Sequence, residues 1–162
     1  DEGEAPLALH REVVLPEWID YNGHMNVAFY VLAFDHATDA FLDRVGLGID
    51  YRRRNDCSVF IVEAHVTYER EVGEGDALSF TTQVMGVDAK RMHLFHRMYL
   101  AGEEALVATN ELMILHVDLG SRRTAALPAT ALESIEAIAR AHADLPPPPQ
   151  AGRVIAIRPQ AA

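Results

Sequence analysis

The chain has 162 residues, 49% of them hydrophobic, and a formal net charge of −10. That is one domain with enough apolar mass to fill a core, too acidic for general nucleic-acid binding and repelled by anionic membranes. The single cysteine, Cys57, excludes an internal disulfide framework and points to a reducing compartment, read here as the cytoplasm. No apolar run is long enough to cross a bilayer, and Asp1–Glu4 is acidic where a signal peptide would be basic. The absent initiator Met fits a processed form or a domain of a longer polypeptide.

Residues 1–9 read as an acidic leader or linker, 10–145 as the folded domain and 146–162 as a Pro-rich tail. His10–Leu15 is strand-like and ends at Pro16. The run Trp18-Ile19-Asp20-Tyr21-Asn22-Gly23-His24-Met25-Asn26 is rich in turn and cap formers. Val27–Val45 has no Gly or Pro and stops at Gly46, which predicts a long helix. Tyr30, Phe34, Phe41 and Val45 share one face, widened by Val27, Val31, Thr38 and Leu42. Only Asp35, Asp39 and Asp43 make a polar stripe, so burial on most sides is expected. From Phe60 the pattern switches to period two, with Val62, Ala64, Val66 and Tyr68 alternating with Glu63, His65, Thr67 and Glu69. Further strands are predicted over residues 76–86, 90–101 and 104–118, with hairpin-length connections and hence antiparallel pairing. A surface helix over residues 130–142 precedes the Pro146–Pro149 run. The expected fold class is α+β, a curved antiparallel sheet wrapped around one long buried helix.

The sequence has no G-x-S-x-G, no H-E-x-x-H, no Gly-rich phosphate loop and no C-x-x-C. Cys57 reads as a packing residue. His93 and His96 sit three apart on a strand and point to opposite faces, so they do not form a metal pair. No metal and no cofactor are expected. The dense segment is Asp20-x-x-Gly23-His24-x-Asn26. It sets a carboxylate, a glycine, an imidazole and a carboxamide before a helix N-terminus, where free N–H groups can polarise a carbonyl. A carboxylate there can act as general base on water or as nucleophile. The same residues also make an ordinary cap, with Asn22 or Asn26 capping, Asp20 holding a turn amide and Gly23 reversing the chain.

The run from Asp20 to Tyr30, followed by the helix, resembles the signature of hotdog-fold acyl-CoA thioesterases of the 4-hydroxybenzoyl-CoA thioesterase type. Ala64–Arg70 and Gly75-Asp76 are similar to a later strand region of that family, and the likeness spans roughly residues 10–128. Within the family, Trp18–Leu42 is most similar to betainyl-CoA thioesterases of carnitine breakdown. Those occur alone or fused behind a carnitine dehydrogenase, and a fusion would account for the missing Met.

The resemblance implies hydrolysis of a small acyl-CoA to the free acid and CoA. Asp20 is then the catalytic aspartate, and Gly23, His24 and Asn26 form the loop facing the thioester oxygen. It also implies a homodimer or dimer of dimers, with acyl-CoA between subunits. Asp35 is the second carboxylate to weigh, but it lies more than two turns past the helix start, beyond reach of the end amides. Lys90-Arg91 and Arg122-Arg123 are the phosphate-binding pairs expected for CoA, with Arg52–Arg54 in reserve. Trp18, Tyr21, Tyr30 and Phe34 are the aromatics expected near a quaternary ammonium acyl group. The rival readings are a non-catalytic acyl-CoA-binding module and a hotdog hydratase or dehydratase.

Overall fold

The computed structural model describes residues 5–161. The first strand, β1, runs Leu7–Val13 and so takes in residues that the sequence alone assigned to the leader. A 3₁₀ turn at Pro16–Trp18 leads to the Asp20 loop, and helix α1 follows at Val27–Arg44. Gly46, at φ +80°, ends α1 in the left-handed region, where glycine carries no Cβ penalty. A short helix α2, Ile49–Arg54, was not expected; it is under two turns long and is anchored by the Tyr51 hydroxyl on His116 Nε2, 2.8 Å away.

Strands β2 (Cys57–Tyr68), β3 (Ala77–Val87), β4 (Arg91–Leu100) and β5 (Leu106–Asp118) follow. A two-residue strand β6, Arg123–Thr124, pairs with the end of β5, and helix α3 spans Ala129–His142. The sheet order is β1-β3-β4-β5-β2, and every pairing is antiparallel. The sheet curves around α1, which is the hotdog arrangement.

Helix α1 buries Tyr30, Ala33, Phe34, Ala37, Thr38, Phe41 and Leu42 against the sheet. The expectation of burial on most sides is corrected: Val27 and Val31 are 58% and 46% exposed. The chain has one main sheet, and it covers one side of the helix. Beside that open side lies the edge strand β2, which leaves Phe60, Ile61 and Val62 exposed. A long apolar edge of this kind tends to pair with another chain.

The core falls into two ends. Trp18, Met25, Tyr30, Phe34, Val72, Leu78, Phe80 and Met98 pack under the Asp20 loop. Phe41, Leu42, Val45, Met92, Leu94, Leu112, Ile114 and Ile135 pack at the other end, under α3.

His96 lies between α1 and the sheet, fully buried. The Thr38 hydroxyl donates to the Phe34 carbonyl at 3.1 Å, so its oxygen must accept from His96 Nε2–H at 2.9 Å. His96 Nδ1 then accepts from the Thr82 hydroxyl, also at 2.9 Å. Burial lowers the His96 pKa to about 4, and the imidazole is neutral at pH 7. His93 faces the other way, half-exposed, with Nε2 on Glu111 at 2.7 Å.

The Pro-rich tail folds back, and the Gly152 N–H donates to Glu111 Oε1 at 2.9 Å. Beyond it Val154, Ile155 and Ile157 are exposed. Among the described residues, no helix is long and apolar enough to cross a membrane.

Candidate active site

The Asp20 loop is closed by its own backbone. Asp20 N–H donates to the His24 carbonyl and Gly23 N–H to the Asp20 carbonyl, each at 3.0 Å. Gly23 sits at φ +80°, open to substitution sterically but strained for any residue with a Cβ. Asp20 Oδ1 accepts from Asn22 N–H at 2.8 Å, and Asn26 Oδ1 caps α1 by accepting from Ala28 N–H at 2.9 Å. Met25 N–H reaches the Val72 carbonyl and Asn26 N–H the Trp18 carbonyl, each at 2.9 Å. The cap geometry expected from the sequence is thus present in full. It leaves the amides of His24 and Val27 without a hydrogen-bond partner among the described residues. These are donors a helix start can offer to a developing oxyanion.

The Met25–Val72 bond draws the segment after β2 alongside this loop. Between them lies a depression of about 330 Å³, lined by Asp20, Asn22, His24, Met25, Val27, Tyr30, Tyr68, Glu69, Arg70 and Glu71. The Tyr30 and Tyr68 rings meet edge to face at 5.1 Å and form one wall. Tyr30 donates to the Arg70 carbonyl at 3.2 Å, and burial raises the pKa of both phenols. Glu71 pairs with His24 at 3.3 Å across the mouth.

Of the residues expected here from sequence, Asp20, His24 and Tyr30 line the depression, while Gly23 and Asn26 shape it from behind. Trp18 and Phe34 do not reach it. Trp18 stacks on Phe29 at 5.6 Å, and Phe34 packs edge to face on Phe80 at 5.8 Å; both are core residues. Tyr21 is 97% exposed on the rim of the loop and touches neither wall. Tyr68, Glu69 and Glu71 were missed as site residues. They lie more than forty positions after the Asp20 loop in the chain, and tertiary contacts bring them in: the Met25–Val72 backbone bond, Tyr30 on the Arg70 carbonyl and the Tyr68 hydroxyl on the Val27 carbonyl.

Asp35 lies on the open side of α1, in a separate groove of about 410 Å³ with Thr38, Asp39, Leu42, Phe60 and Ile61. A neighbouring depression of about 340 Å³ is lined by Asp39, Asp43, Arg52 and Val59. Burial raises the pKa of Asp39, with the charge of Asp35 adding to it. These grooves match the Asp20 depression in size but sit mid-helix, where the backbone amides are consumed by the helix itself.

The basic pairs gather at the opposite end of the sheet. Lys90 and Arg91 open β4 beside Leu115 and Thr124, around a depression of about 410 Å³. Arg122 and Arg123 enter β6, which continues the line of β4 along β5. Arg91 is engaged: Asp88 takes its Nη2 at 2.6 Å and its Nε at 2.7 Å, and that contact holds the Asp88 carboxyl down at about 2. Lys90, Arg122 and Arg123 have no ion pair among the described residues. Along β5 the path from Ala108, at the Asp20 end, to Leu115 is about 24 Å at ~3.4 Å per residue.

Residues 14–138 match the family profile of the thioesterase-like superfamily. The chain belongs to that superfamily. A betainyl-CoA thioesterase of Pseudomonas aeruginosa is 42% identical over 153 residues, covering 94% of this chain and 96% of its own. A bifunctional L-carnitine dehydrogenase/betainyl-CoA thioesterase of Rhizobium sp. is 37% identical over 150 residues; the alignment covers 93% of this chain but 30% of that protein. A Staphylococcus aureus protein solved in complex with CoA superposes with a TM-score of 0.87 at 30% identity, covering 94% of this chain and 97% of its own. A thioesterase-type structure from Pseudomonas putida gives 0.83 at 35%, covering 97% and 100%. As a member of the thioesterase-like superfamily with the hotdog fold, the chain is a thioester hydrolase acting on an acyl-CoA.

Proposed function

We propose that the chain hydrolyses betainyl-CoA to betaine and CoA, with Asp20 as the working carboxylate. The observation that carries this is the Asp20 depression. It joins a carboxylate and unpartnered helix-start amides to a wall of two tyrosines flanked by Glu69 and Glu71. A trimethylammonium group is attracted both by aromatic faces and by carboxylates, at about 0.5–2 kcal/mol per ring. The 42% identity to a betainyl-CoA thioesterase over nearly the whole chain supports the same acyl group.

In the proposed reaction the thioester oxygen faces the amides of His24 and Val27, which stabilise the negative charge it gains. Asp20 either takes a proton from water as that water attacks the carbonyl carbon, or attacks the carbon itself and is freed by water. Both routes consume one water, break the C–S bond and release the acid and the thiol.

Three further readings belong to the proposal. The first is a symmetric dimer formed through the β2 edge. Antiparallel pairing there sets the Tyr68 end of one protomer beside the Cys57 end of the other. The site of one protomer would then face the partner's Lys90–Arg91 and Arg122–Arg123 end, which suits an extended CoA. The second is the cytoplasm as the working compartment, which the lone half-buried Cys57 suits. The third is a functional link to a carnitine dehydrogenase, supported by the bifunctional relatives.

The test is thiol release from betainyl-CoA, acetyl-CoA and crotonyl-CoA. Fastest release from betainyl-CoA is expected. Release from another acyl-CoA in preference would reassign the substrate. Tight acyl-CoA binding without thiol release would make the chain a binding module, and loss of enoyl absorbance without thiol release would make it a hydratase.

A further inference from the structure

Away from the Asp20 depression, β1 and α1 bring together two imidazoles and one carboxylate. His10 and Glu12 are two apart on β1 and so share the face turned toward the helix. His36 comes from the middle of α1. His10 Nε2 lies 2.9 Å from Glu12 Oε2, and His36 Nδ1 lies 2.8 Å and 3.0 Å from the two oxygens of Glu12. One ligand atom from each residue lies within 4.8 Å of the other two. The side chains are part-buried, at 23% exposure for His10, 16% for Glu12 and 38% for His36. Nothing in the hydrolysis uses them.

The geometry points to a divalent transition-metal site formed by His10, Glu12 and His36, with zinc as the fitting ion. Two nitrogens and one carboxylate oxygen suit zinc, cobalt, nickel or copper, whereas magnesium and calcium take oxygen shells. Ligand atoms of a tetrahedral zinc stand about 3.3 Å apart when each bond is about 2.0–2.1 Å. The imidazole-to-carboxylate separations of 2.8–3.0 Å need open by only a few tenths of an ångström, and the two imidazole nitrogens already lie within 4.8 Å of each other. Both imidazoles turn a nitrogen toward Glu12, so the same rotamers serve the ion.

Three protein ligands leave one coordination position for water, reached from the exposed side of His36. Asp39, one turn beyond His36, lies close enough for both imidazoles to act on its carboxyl, and it adds negative potential on that side. His10 is fixed from behind by the Phe80 ring, at 5.1 Å. The ion would tie the outer strand β1 to α1. Val14 and Trp18, which pack under the Asp20 loop, follow directly from that strand.

The experiment uses the untagged full chain stripped of metal, titrated with zinc against a chromophoric chelator and with cobalt by visible absorption. One ion per chain is expected, with cobalt bands of nitrogen and oxygen ligation and no thiolate charge-transfer band. Glu12→Gln and His36→Gln should each weaken zinc by at least about tenfold, since even outer-shell changes cost 10–100-fold. Cys57→Ser and His93→Gln should leave it unchanged. Zinc should raise the melting temperature of the parent chain and not that of His36→Gln. Zinc binding that survives in Glu12→Gln and His36→Gln, or that disappears in Cys57→Ser, would overturn the assignment. So would a dissociation constant weaker than about 100 μM. Should either variant fail to fold, copper bound to the parent and probed by pulsed electron paramagnetic resonance decides. Two coordinated imidazoles are expected, and none would refute the site.

Discussion

The two ends of the sheet carry opposite chemistry. Around the Asp20 loop stand Asp20, Glu69 and Glu71, with His24 and Arg70 set among them. At the far end stand Lys90, Arg91, Arg122 and Arg123, with Asp88 holding one of them. In the proposed function the first end would hold the cationic acyl group and cleave the thioester, and the second would hold the phosphates. With a span of about 24 Å between them along β5, the proposed function would separate reaction from anchorage within one chain. The symmetric pairing proposed for the β2 edge would lay one protomer's basic end near its partner's acidic one.

The sharpest way to break this division is at Asp20. Asp20→Asn keeps an oxygen for the Asn22 amide, so the loop should fold normally. Turnover should fall by ~10²–10⁴, the usual range for a positioned acid or base. Asp35→Asn, in the separate groove, should cost far less. Steady-state kinetics of both variants checks this, and the reverse ranking would move the chemistry to the mid-helix groove.

The next largest effect is expected at the edge. Val62→Glu adds a charge to an exposed position of the protomer, so folding should survive. In a symmetric pairing it sets like charges near one another, a cost of several kcal/mol. Sedimentation should shift from dimer to monomer and turnover should fall roughly hundredfold. A fully active monomer would show that each protomer carries both anchor and chemistry.

A third test leaves both ends alone and probes the joint between helix and sheet. The folded state keeps His96 neutral down to about 4, whereas the unfolded imidazole takes up a proton below its ordinary value near 6.5. The unfolded state therefore binds more protons between those values. Stability is complete above about 6.5 and is lost as pH falls toward 4, by about 2 kcal/mol between pH 7 and pH 5. Buried His142, also lowered, acts in the same direction. Urea unfolding at the two pH values measures the loss, and His96→Gln should reduce it.

The smallest effect concerns the basic end. Arg123→Ala should raise KM for acyl-CoA by about tenfold with kcat little changed, because the lost contact is equal in ground and transition states. Arg91→Ala should do less, since Asp88 already occupies that guanidinium. Neither should affect an acyl-pantetheine, which lacks the nucleotide. Equal losses on both substrates would mean that the arginines support the fold and that CoA is held elsewhere.

Much of this fold was legible in the sequence because its signals are local. Helix α1 has no breaker between Gly23 and Gly46, and β2 alternates apolar and polar residues from Val62 to Tyr68. Helix α2 was not legible, since so short a helix, held by Tyr51 on His116, depends on a contact across the fold. Periodicity showed that Val27 and Val31 are apolar, but what covers an apolar face is a tertiary matter. The same limit applied to the site. Asp20, Gly23, His24 and Asn26 stand out by spacing, which alone fits an ordinary helix cap as well as a site, and the family resemblance favours the site. Trp18 and Phe34 were drawn to the site by nearness in sequence, and the helix turns Phe34 into the core instead. Tyr68 and Glu71 join through contacts between segments far apart in the chain, among them the Met25–Val72 bond and the Tyr30 hydroxyl on the Arg70 carbonyl. The His10, Glu12 and His36 cluster was not read from the sequence: two of its members share β1, but the third comes from another element.

The closed backbone of the Asp20 loop bears on when disorder is lost. Its turn amides already hold one another, Asn26 already caps the helix, and Met25 is already tied to Val72. The conformational entropy of arranging this segment is therefore given up as the chain folds, and a ligand meets donors that already stand in place. A glycine loop left slack until contact would instead charge that ordering to every encounter.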